Sequence, residues 1–309
     1  MNTIVLYHET SPGIPCPDGH AAAWVAHRAL GPDIKIIGCL YQDERLPPKD
    51  FKVPPVVPGD RLYILDLSFP AWLLTSWREQ GNIITIIDHH KDKIESLLTH
   101  PTLAGLITFD EHKCGSLLTW EHFFPDEPVP TFLKYIDDRD RWVKQLPHTE
   151  EIHAAYQTYG NFDARQFENY DKLAGMSEEE FIDFMLPIGI NALGERRRCT
   201  EAACERARLH ILSDRWDECS WRQVPILRLE PDELYAHSDI GNLLAQQHPE
   251  QPFSALYWRE ESGLIKWSLR SLEGTGARVS TLAELFGGNG HPNAAGFRIT
   301  EEEHKQLFY

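Results

Sequence analysis

Cysteine is sparse and unpatterned: six residues in 309, with no Cys-x-x-Cys pair. That spacing excludes a zinc knuckle and a disulfide frame, and it points to reduced thiols in a cytosolic chain. Cys199 and Cys204, five apart on a predicted helix, read as packed thiols and not as a thiolate site. Positive charge is also short. Thirty Lys and Arg stand against 47 Asp and Glu, a formal net charge of -17. Broad capture of duplex nucleic acid needs a basic face, which this balance argues against, although a local basic cleft stays open. No hydrophobic leader and no apolar run of membrane-spanning length is present, so a soluble, cytoplasmic protein without a membrane partner is expected. Internal repeats and low-complexity segments are lacking as well.

What is present suits two domains. Residues 1–145 alternate strand and helix, the α/β pattern of a parallel sheet with helices on both faces. Pro47, Pro48, Pro54, Pro55 and Pro58 mark a surface loop between the first helix and the second predicted strand. Residues 146–222 read as a helical connector. Ser177-Glu178-Glu179-Glu180 looks like a capped helix start. Glu195 to Leu212, rich in Arg, Glu and Ala, predicts a long helix. Residues 223–309 read as a small α+β domain, with strands at Val224–Leu229, Phe253–Trp258 and Leu264–Leu269, the last two joined by the hairpin signal Glu260-Glu261-Ser262-Gly263. Helices are predicted at Ser238–Gln247 and Val279–Phe286, with a short last strand at Gly296–Ile299.

The chemistry lies at the ends of the N-terminal elements. Asn82 to Ile87 is an apolar, β-branched run that predicts a buried strand, and it ends in Asp88-His89-His90. Ligands of open α/β sheets bind at that carboxyl edge. A carboxylate and two imidazoles there are costly to bury unless something binds them. The strand Thr3–Tyr7 ends at His8, and Asp18-Gly19-His20 opens an Ala-rich helix, Ala21–Leu30. Leu62–Leu65 ends at Asp66, and the apolar segment Phe132–Ile136 runs into Asp137-Asp138-Arg139-Asp140. Any one of these alone reads as a helix cap or solvated loop. Four together point to a cation site. If the fourth segment is extended, Asp138 and Asp140 both face inward.

These residues resemble the DHH phosphoesterase superfamily over nearly the whole chain. His8 with Pro17-Asp18-Gly19, then Asp66, then Asp88-His89-His90, then Tyr135 to Trp142 are similar to its four N-terminal motifs. Phe286-Gly287-Gly288-Asn289-Gly290-His291, followed by Ala294-Ala295-Gly296, resembles the glycine signature of its associated C-terminal (DHHA1) domain. The resemblance implies two Mn²⁺ ions, with Mg²⁺ or Co²⁺ as alternatives, and a water activated between them that attacks a phosphoester or phosphoanhydride. It assigns His8, Asp18 and Asp66 to one ion, and Asp66, His89 and Asp138, with His20, to the other, Asp66 bridging. Asp88 would orient its neighbours and His90 would meet the phosphate. In the second domain Arg270, the N–H groups of Gly287, Gly288 and Gly290, and His291 would hold distal phosphates, with substrate in a cleft between domains.

Two departures stand out. Nine residues separate His8 from Asp18 where many members have three, which an insertion around residues 11–15 explains. His20 stands where members carry a second Asp, so a weaker or softer second ion is expected, unless His20 only caps the helix. The implied substrate is a small phosphorylated molecule (polyphosphate, a short oligonucleotide or a nucleotide), with a homodimer as one option. Trp24, Trp142 and Trp258 are candidates to stack a base, but buried packing is the preferred reading for all three. Two other classes stay open: a nucleotide or phosphate sensor without turnover, and an editing module for aminoacylated tRNA.

Overall fold

The β-branched runs of the N-terminal half form a parallel sheet. In the computed structural model, which describes residues 1–11, 13–42, 47–159, 167–213, 220–274 and 277–307, its strands are β1 (Thr3–Ser11), β3 (Lys35–Cys39), β4 (Arg61–Leu65), β5 (Ile83–Asp88) and β6 (Ile107–Phe109). They lie side by side in the order β3-β1-β4-β5-β6, all parallel. The short β2 (Ile14–Pro15) folds back antiparallel onto β1. Side chains alternate between two cores, as period-2 geometry requires. Val5 and Tyr7 of β1 pack with Trp24 and Phe132 on one face, whereas Ile4 and Leu6 pack with Leu62, Leu74 and Ile94 on the other. Each such fully buried side chain contributes about 1.5–3 kcal/mol.

The sheet is covered by α1 (Pro17–Leu30), α2 (Ala71–Glu79), α3 (Lys91–Leu98), α4 (Gly115–Phe123) and α5 (Thr131–Asp140). Helix α1 starts with Pro at its first turn and buries every residue from Asp18 to Ala26. The run of alanines keeps that buried face thin. Helix α5 corrects the extended reading of the fourth motif. Phe132, Leu133, Tyr135 and Ile136 are all buried at the i, i+1, i+3, i+4 spacing of a helix face. A five-residue apolar run does not by itself tell strand from helix.

Two compact units divide the chain, Met1–Ala192 and Leu193–Tyr309. The residues expected to form a separate connector go elsewhere. Helices α6 (Thr149–Tyr159) and α7 (Glu168–Ala174) and the start of α8 (Glu178–Glu205) place Ile152, Tyr156, Tyr170, Phe181 and Met185 in the same core as Trp24. They belong to the first unit, and α8 runs through the division. Residues 160–166 and 214–219 of that expected connector, and Pro12 of the expected insertion, lie outside the described residues. The predicted helix to Leu212 also ends early: α8 stops at Glu205, and Arg208–Ser213 is a strand, β7.

The second unit is a mixed sheet in the order β11-β12-β10-β9-β8-β7. Its other strands are β8 (Ser220–Arg228), β9 (Ser254–Arg259), β10 (Ile265–Arg270), β11 (Asn289–His291) and β12 (Ala294–Ile299), and its helices are α9 (His237–Gln247), α10 (Val279–Leu285) and α11 (Glu301–Gln306). The expected hairpin is present as the antiparallel pair β9–β10. Trp267 stacks on Phe297 in its core, with ring centroids 5.8 Å apart. Among the described residues no helix is long and apolar enough to cross a membrane.

Candidate metal centre

Strand β1 at His8, the ends of β4 and β5, and helices α1 and α5 converge at the carboxyl edge of the parallel sheet. Asp66 follows directly on β4, held there by its N–H donating to the Ile87 carbonyl (2.9 Å) and by a left-handed backbone, φ 53°. Asp tolerates that region better than most residues. Its side chain is 1% exposed, and neither carboxylate oxygen has a hydrogen-bond partner. Three imidazole nitrogens face it: His8 Nδ1 at 3.4 Å, His89 Nε2 at 3.3 Å and His90 Nδ1 at 3.6 Å. His8 Nδ1 and His89 Nε2 are buried and likewise without hydrogen-bond partners. Buried polar atoms are normally satisfied, so four such atoms facing one another describe a site shaped for a cation, which takes an electron pair from each.

Asp18 is fixed differently. The first N–H groups of α4 grip it, Gly115 donating to Oδ2 (2.6 Å) and Ser116 to Oδ1 (2.8 Å). A helix N-terminus is a natural anion seat. Residue 115 has to be glycine, because a Cβ there would stand 2.7 Å from the Asp66 Cβ. The Cys114-Gly115-Ser116 stretch is not singled out by any spacing in the sequence. Its only signal is a small-residue helix start after a loop.

The fourth motif divides its acids three ways. Asp137 is bound by Arg141, at 2.9 and 2.6 Å, and accepts from the Cys114 N–H. Asp138, the expected ligand, faces away from the cluster. It accepts from the N–H groups of Gln145 (2.8 Å) and Leu146 (3.2 Å) and from the Thr149 hydroxyl. Asp140 takes the inward place, 3.3 Å from His89 Nε2. The helical period explains the exchange: positions that share a face in a strand do not share one in α5.

His20 is also placed away from the cluster. Its ring is fully buried among Tyr7, Phe167 and Tyr170, with Nδ1 3.2 Å from the Tyr170 hydroxyl. Asp88 sits behind the two histidines. It accepts from the N–H groups of His89 (2.7 Å) and His90 (3.1 Å) and from His90 Nδ1 (2.7 Å). Tyr41 adds a longer contact to its other oxygen, 3.4 Å.

Cation-ligating atoms lie within 4.8 Å of one another in three overlapping sets: His8, Cys16 and Asp66; Asp66, His89 and His90; Asp18, His89 and Asp140. Asp66 joins the first two and His89 the last two. The electrostatics follow from this crowding. Burial opposes the charged form of His89, but Asp66, Asp18 and Asp140 outweigh it and raise the imidazole to about 9. Burial, then the neighbouring Asp66 charge, lifts Asp140 to about 6. For Asp66, burial works against the charge, yet the surrounding imidazoles hold it below the ordinary carboxylate value. Burial also opposes charge on His90, and Asp88 more than compensates. An open cavity of about 130 Å³ adjoins the cluster, lined by Asp18, Arg139, Asp140, Trp142 and His153.

In the second unit, Arg270 is partly buried and donates to Ser268 Oγ (3.1 Å) and Ser238 Oγ (3.0 Å). The glycine run does not form an open anion cradle at its start. Gly287 and Gly288 donate their N–H groups to the Glu284 and Ala283 carbonyls, closing the end of α10. Gly290 and His291 are exposed on β11, paired to β12.

A cluster of acids and imidazoles that could hold a cation lies at the strand ends of a parallel sheet, and a second α/β unit follows it. The fold is that of the DHH superfamily. The chain is similar to a DHH-domain structure named as a member of the s1p family of ribosomal proteins, with a TM-score of 0.51 and 11% identity over 99% of this chain and 84% of that one. It is also similar, at a TM-score of 0.43 and 13% identity over 99% of this chain and 94% of that one, to a pGpG-specific phosphodiesterase from Vibrio cholerae. In sequence it is 29% identical over 311 residues to an uncharacterised protein of Acanthamoeba polyphaga mimivirus, covering 96% of this chain and 67% of that protein. No protein-family model matches the chain.

Proposed function

We propose that the chain is a metal-dependent phosphohydrolase that cleaves a phosphoester or phosphoanhydride in a small substrate. The observation that carries this reading is Asp66: a buried carboxylate with both oxygens unpartnered, faced by three imidazoles at the sheet edge of a DHH fold. His8, Asp18, Asp66, His89 and Asp140 would hold the cations. Bound divalent ions there supply a water of lowered pKa and neutralise phosphoryl charge. Oxygen donors mixed with imidazole suit Mn²⁺, with Mg²⁺ or Co²⁺ as alternatives.

The remaining residues position the reaction. Asp88 fixes the backbone of the His89–His90 corner and accepts from His90 Nδ1, leaving His90 Nε2 as the nitrogen to meet a phosphoryl oxygen. Trp142 narrows the substrate class. It was expected to be packed, yet it is 66% exposed beside the cavity, with Arg139 and Lys144 at 4.2 and 4.0 Å from its ring centre. An exposed indole next to cations suits a base and its phosphate, and this favours nucleotides over inorganic polyphosphate. Trp24, by contrast, is fully buried between Trp120 and Phe132.

The test is a substrate panel of polyphosphate, pyrophosphate, short oligonucleotides, cyclic dinucleotides and 3′-phosphoadenosine phosphate, run with Mn²⁺, Mg²⁺ and Co²⁺. Cation-dependent turnover of one class is expected, lost in Asp66→Ala and His89→Ala. Trp142→Ala is expected to raise KM for base-containing substrates about tenfold, since stacking on an aromatic contributes about 1–3 kcal/mol per base, and to leave polyphosphate unaffected. Bound cation without turnover of any member would favour a sensor.

A further inference from the structure

The gap between His8 and Asp18 is a hairpin, and it returns one particular side chain to the site. Strand β1 continues past His8 to Ser11, and β2 folds back on it, with Glu9 opposite Pro15 and Ser11 opposite Ile14. The chain then closes on itself, the Cys16 N–H donating to the His8 carbonyl at 3.2 Å. Cys16 is left at the N-cap of α1, 8% exposed, and its side chain makes no capping hydrogen bond. Its sulfur, a His8 ring nitrogen and an Asp66 oxygen all lie within 4.8 Å of one another. The other two donors are themselves unsatisfied: Asp66 is 1% exposed with neither oxygen partnered, and His8 Nδ1 is buried without a partner.

Resting on the metal-centre reading above, we infer that Cys16 is a thiolate ligand of the cation held by His8 and Asp66, and that this position takes a borderline metal such as Co²⁺ or Zn²⁺ in preference to Mn²⁺ or Mg²⁺. Ligation exchanges the thiol proton, released to solvent, for a sulfur–metal bond. One nitrogen, one carboxylate oxygen and one sulfur converge on the position, and sulfur is the donor that moves preference away from hard ions. In the metal-free protein burial, then the Asp66 and Asp18 charges, push the Cys16 thiol well up, so the thiolate forms only together with the bound cation. The hairpin thus adds an anionic donor on the His8 side of Asp66, while His20 is withdrawn into its aromatic pocket.

Cobalt reports both statements separately. The full chain, stripped with chelator and kept reduced with a phosphine, is titrated with Co²⁺ and followed by absorbance. Visible d–d bands report binding at the centre, and a near-ultraviolet sulfur-to-cobalt band reports a thiolate ligand. Wild type is expected to show both. Cys16→Ser is expected to keep the d–d bands and lose the sulfur band. Its Co²⁺ affinity should fall by more than the roughly 10- to 100-fold that loss of an outer partner costs, and its Mn²⁺ affinity by less. Cys39→Ser, which changes the thiol opposite His8 on β3, is expected to retain both bands. Wild-type d–d bands without a sulfur band overturn the thiolate and leave the metal centre standing. A sulfur band that survives Cys16→Ser, or that is lost only in Cys39→Ser, overturns Cys16 as its source. Absence of all cobalt absorption overturns the metal centre and the thiolate together. The wild-type spectrum alone decides the presence of a thiolate, even if a variant fails to fold.

Discussion

His89 carries the proton that a cation has to displace. Its ring lies within 3.8 Å of three carboxylates, Asp18, Asp66 and Asp140. In the metal-free protein these hold the imidazolium, with a folded pKa of about 9 against the ordinary 6.5. A raised pKa means that folding favours the protonated form. That contribution to stability is complete below pH 6.5 and is lost as the pH rises through about 9. Asp140, raised to about 6, acts in the same direction at lower pH. The chelator-treated protein is therefore expected to lose thermal stability between pH 6.5 and 9 at fixed ionic strength, read as Tm by calorimetry. A flat or rising Tm across that window would contradict the arrangement. A bound cation replaces the proton, so binding near pH 7 should release about one proton from this residue, measurable by titration calorimetry in buffers of different ionisation enthalpy.

Among the elements, the segment after α5 shows why the acids of the fourth motif cannot be ranked by sequence. Trp142, Lys144 and His148 all have left-handed backbones, with φ of 56°, 51° and 63°. Such residues cost of order 1–3 kcal/mol each and persist only where the surroundings enforce them. Asp138 is what enforces them. Its carboxylate gathers Gln145, Leu146 and Thr149, and its carbonyl gathers the N–H groups of Val143 and Lys144. Asp138→Ala is expected to lower stability by about 3 kcal/mol, the scale of losing several buried hydrogen bonds to a charge, while cation stoichiometry stays intact. Asp140→Ala should do the opposite: little change in denaturation midpoint, but weaker cation binding. Chemical denaturation and titration calorimetry on the pair separate the roles.

The same segment marks the limit of legibility. His8, Asp66 and Asp88 were readable because each follows a short continuous apolar run that predicts a buried strand, although β1 itself continues past His8 to Ser11. Phe132–Ile136 is not decided in that way. Its five residues fit a buried strand or one helix face, and the choice between Asp138 and Asp140 turns on which period holds. Cys16 was unreadable for another reason. A single thiol has no partner at metal-site spacing, and only the hairpin places it beside His8. The helical reading of residues 146–222 did not tell where Tyr156, Tyr170 and Phe181 would go, because helical composition does not identify the core that receives a helix.

At the scale of the whole molecule, every donor of the centre, from His8 to Asp140, belongs to the first compact unit. They are nonetheless remote along the chain: Asp18 and its Gly115 donor are 97 positions apart. No short peptide segment contains a usable set, and parallel strands must dock before the set exists. Contacts of such long sequence separation slow folding, because loop-closure entropy is paid before they reward it. A ligand that binds only the native state stabilises it by mass action, and if its site is absent from the transition state the gain appears in the unfolding rate. Stopped-flow refolding is therefore expected to run at the same rate with and without Co²⁺, while unfolding in denaturant slows. Faster refolding with the cation would mean that the site is formed early. The grip of the α4 N-terminus on Asp18 thus has a consequence for synthesis as well. A nascent chain would lack the full donor set until Asp140 of α5 had left the ribosome, so a cation needing every donor would be taken up only by the folded first unit.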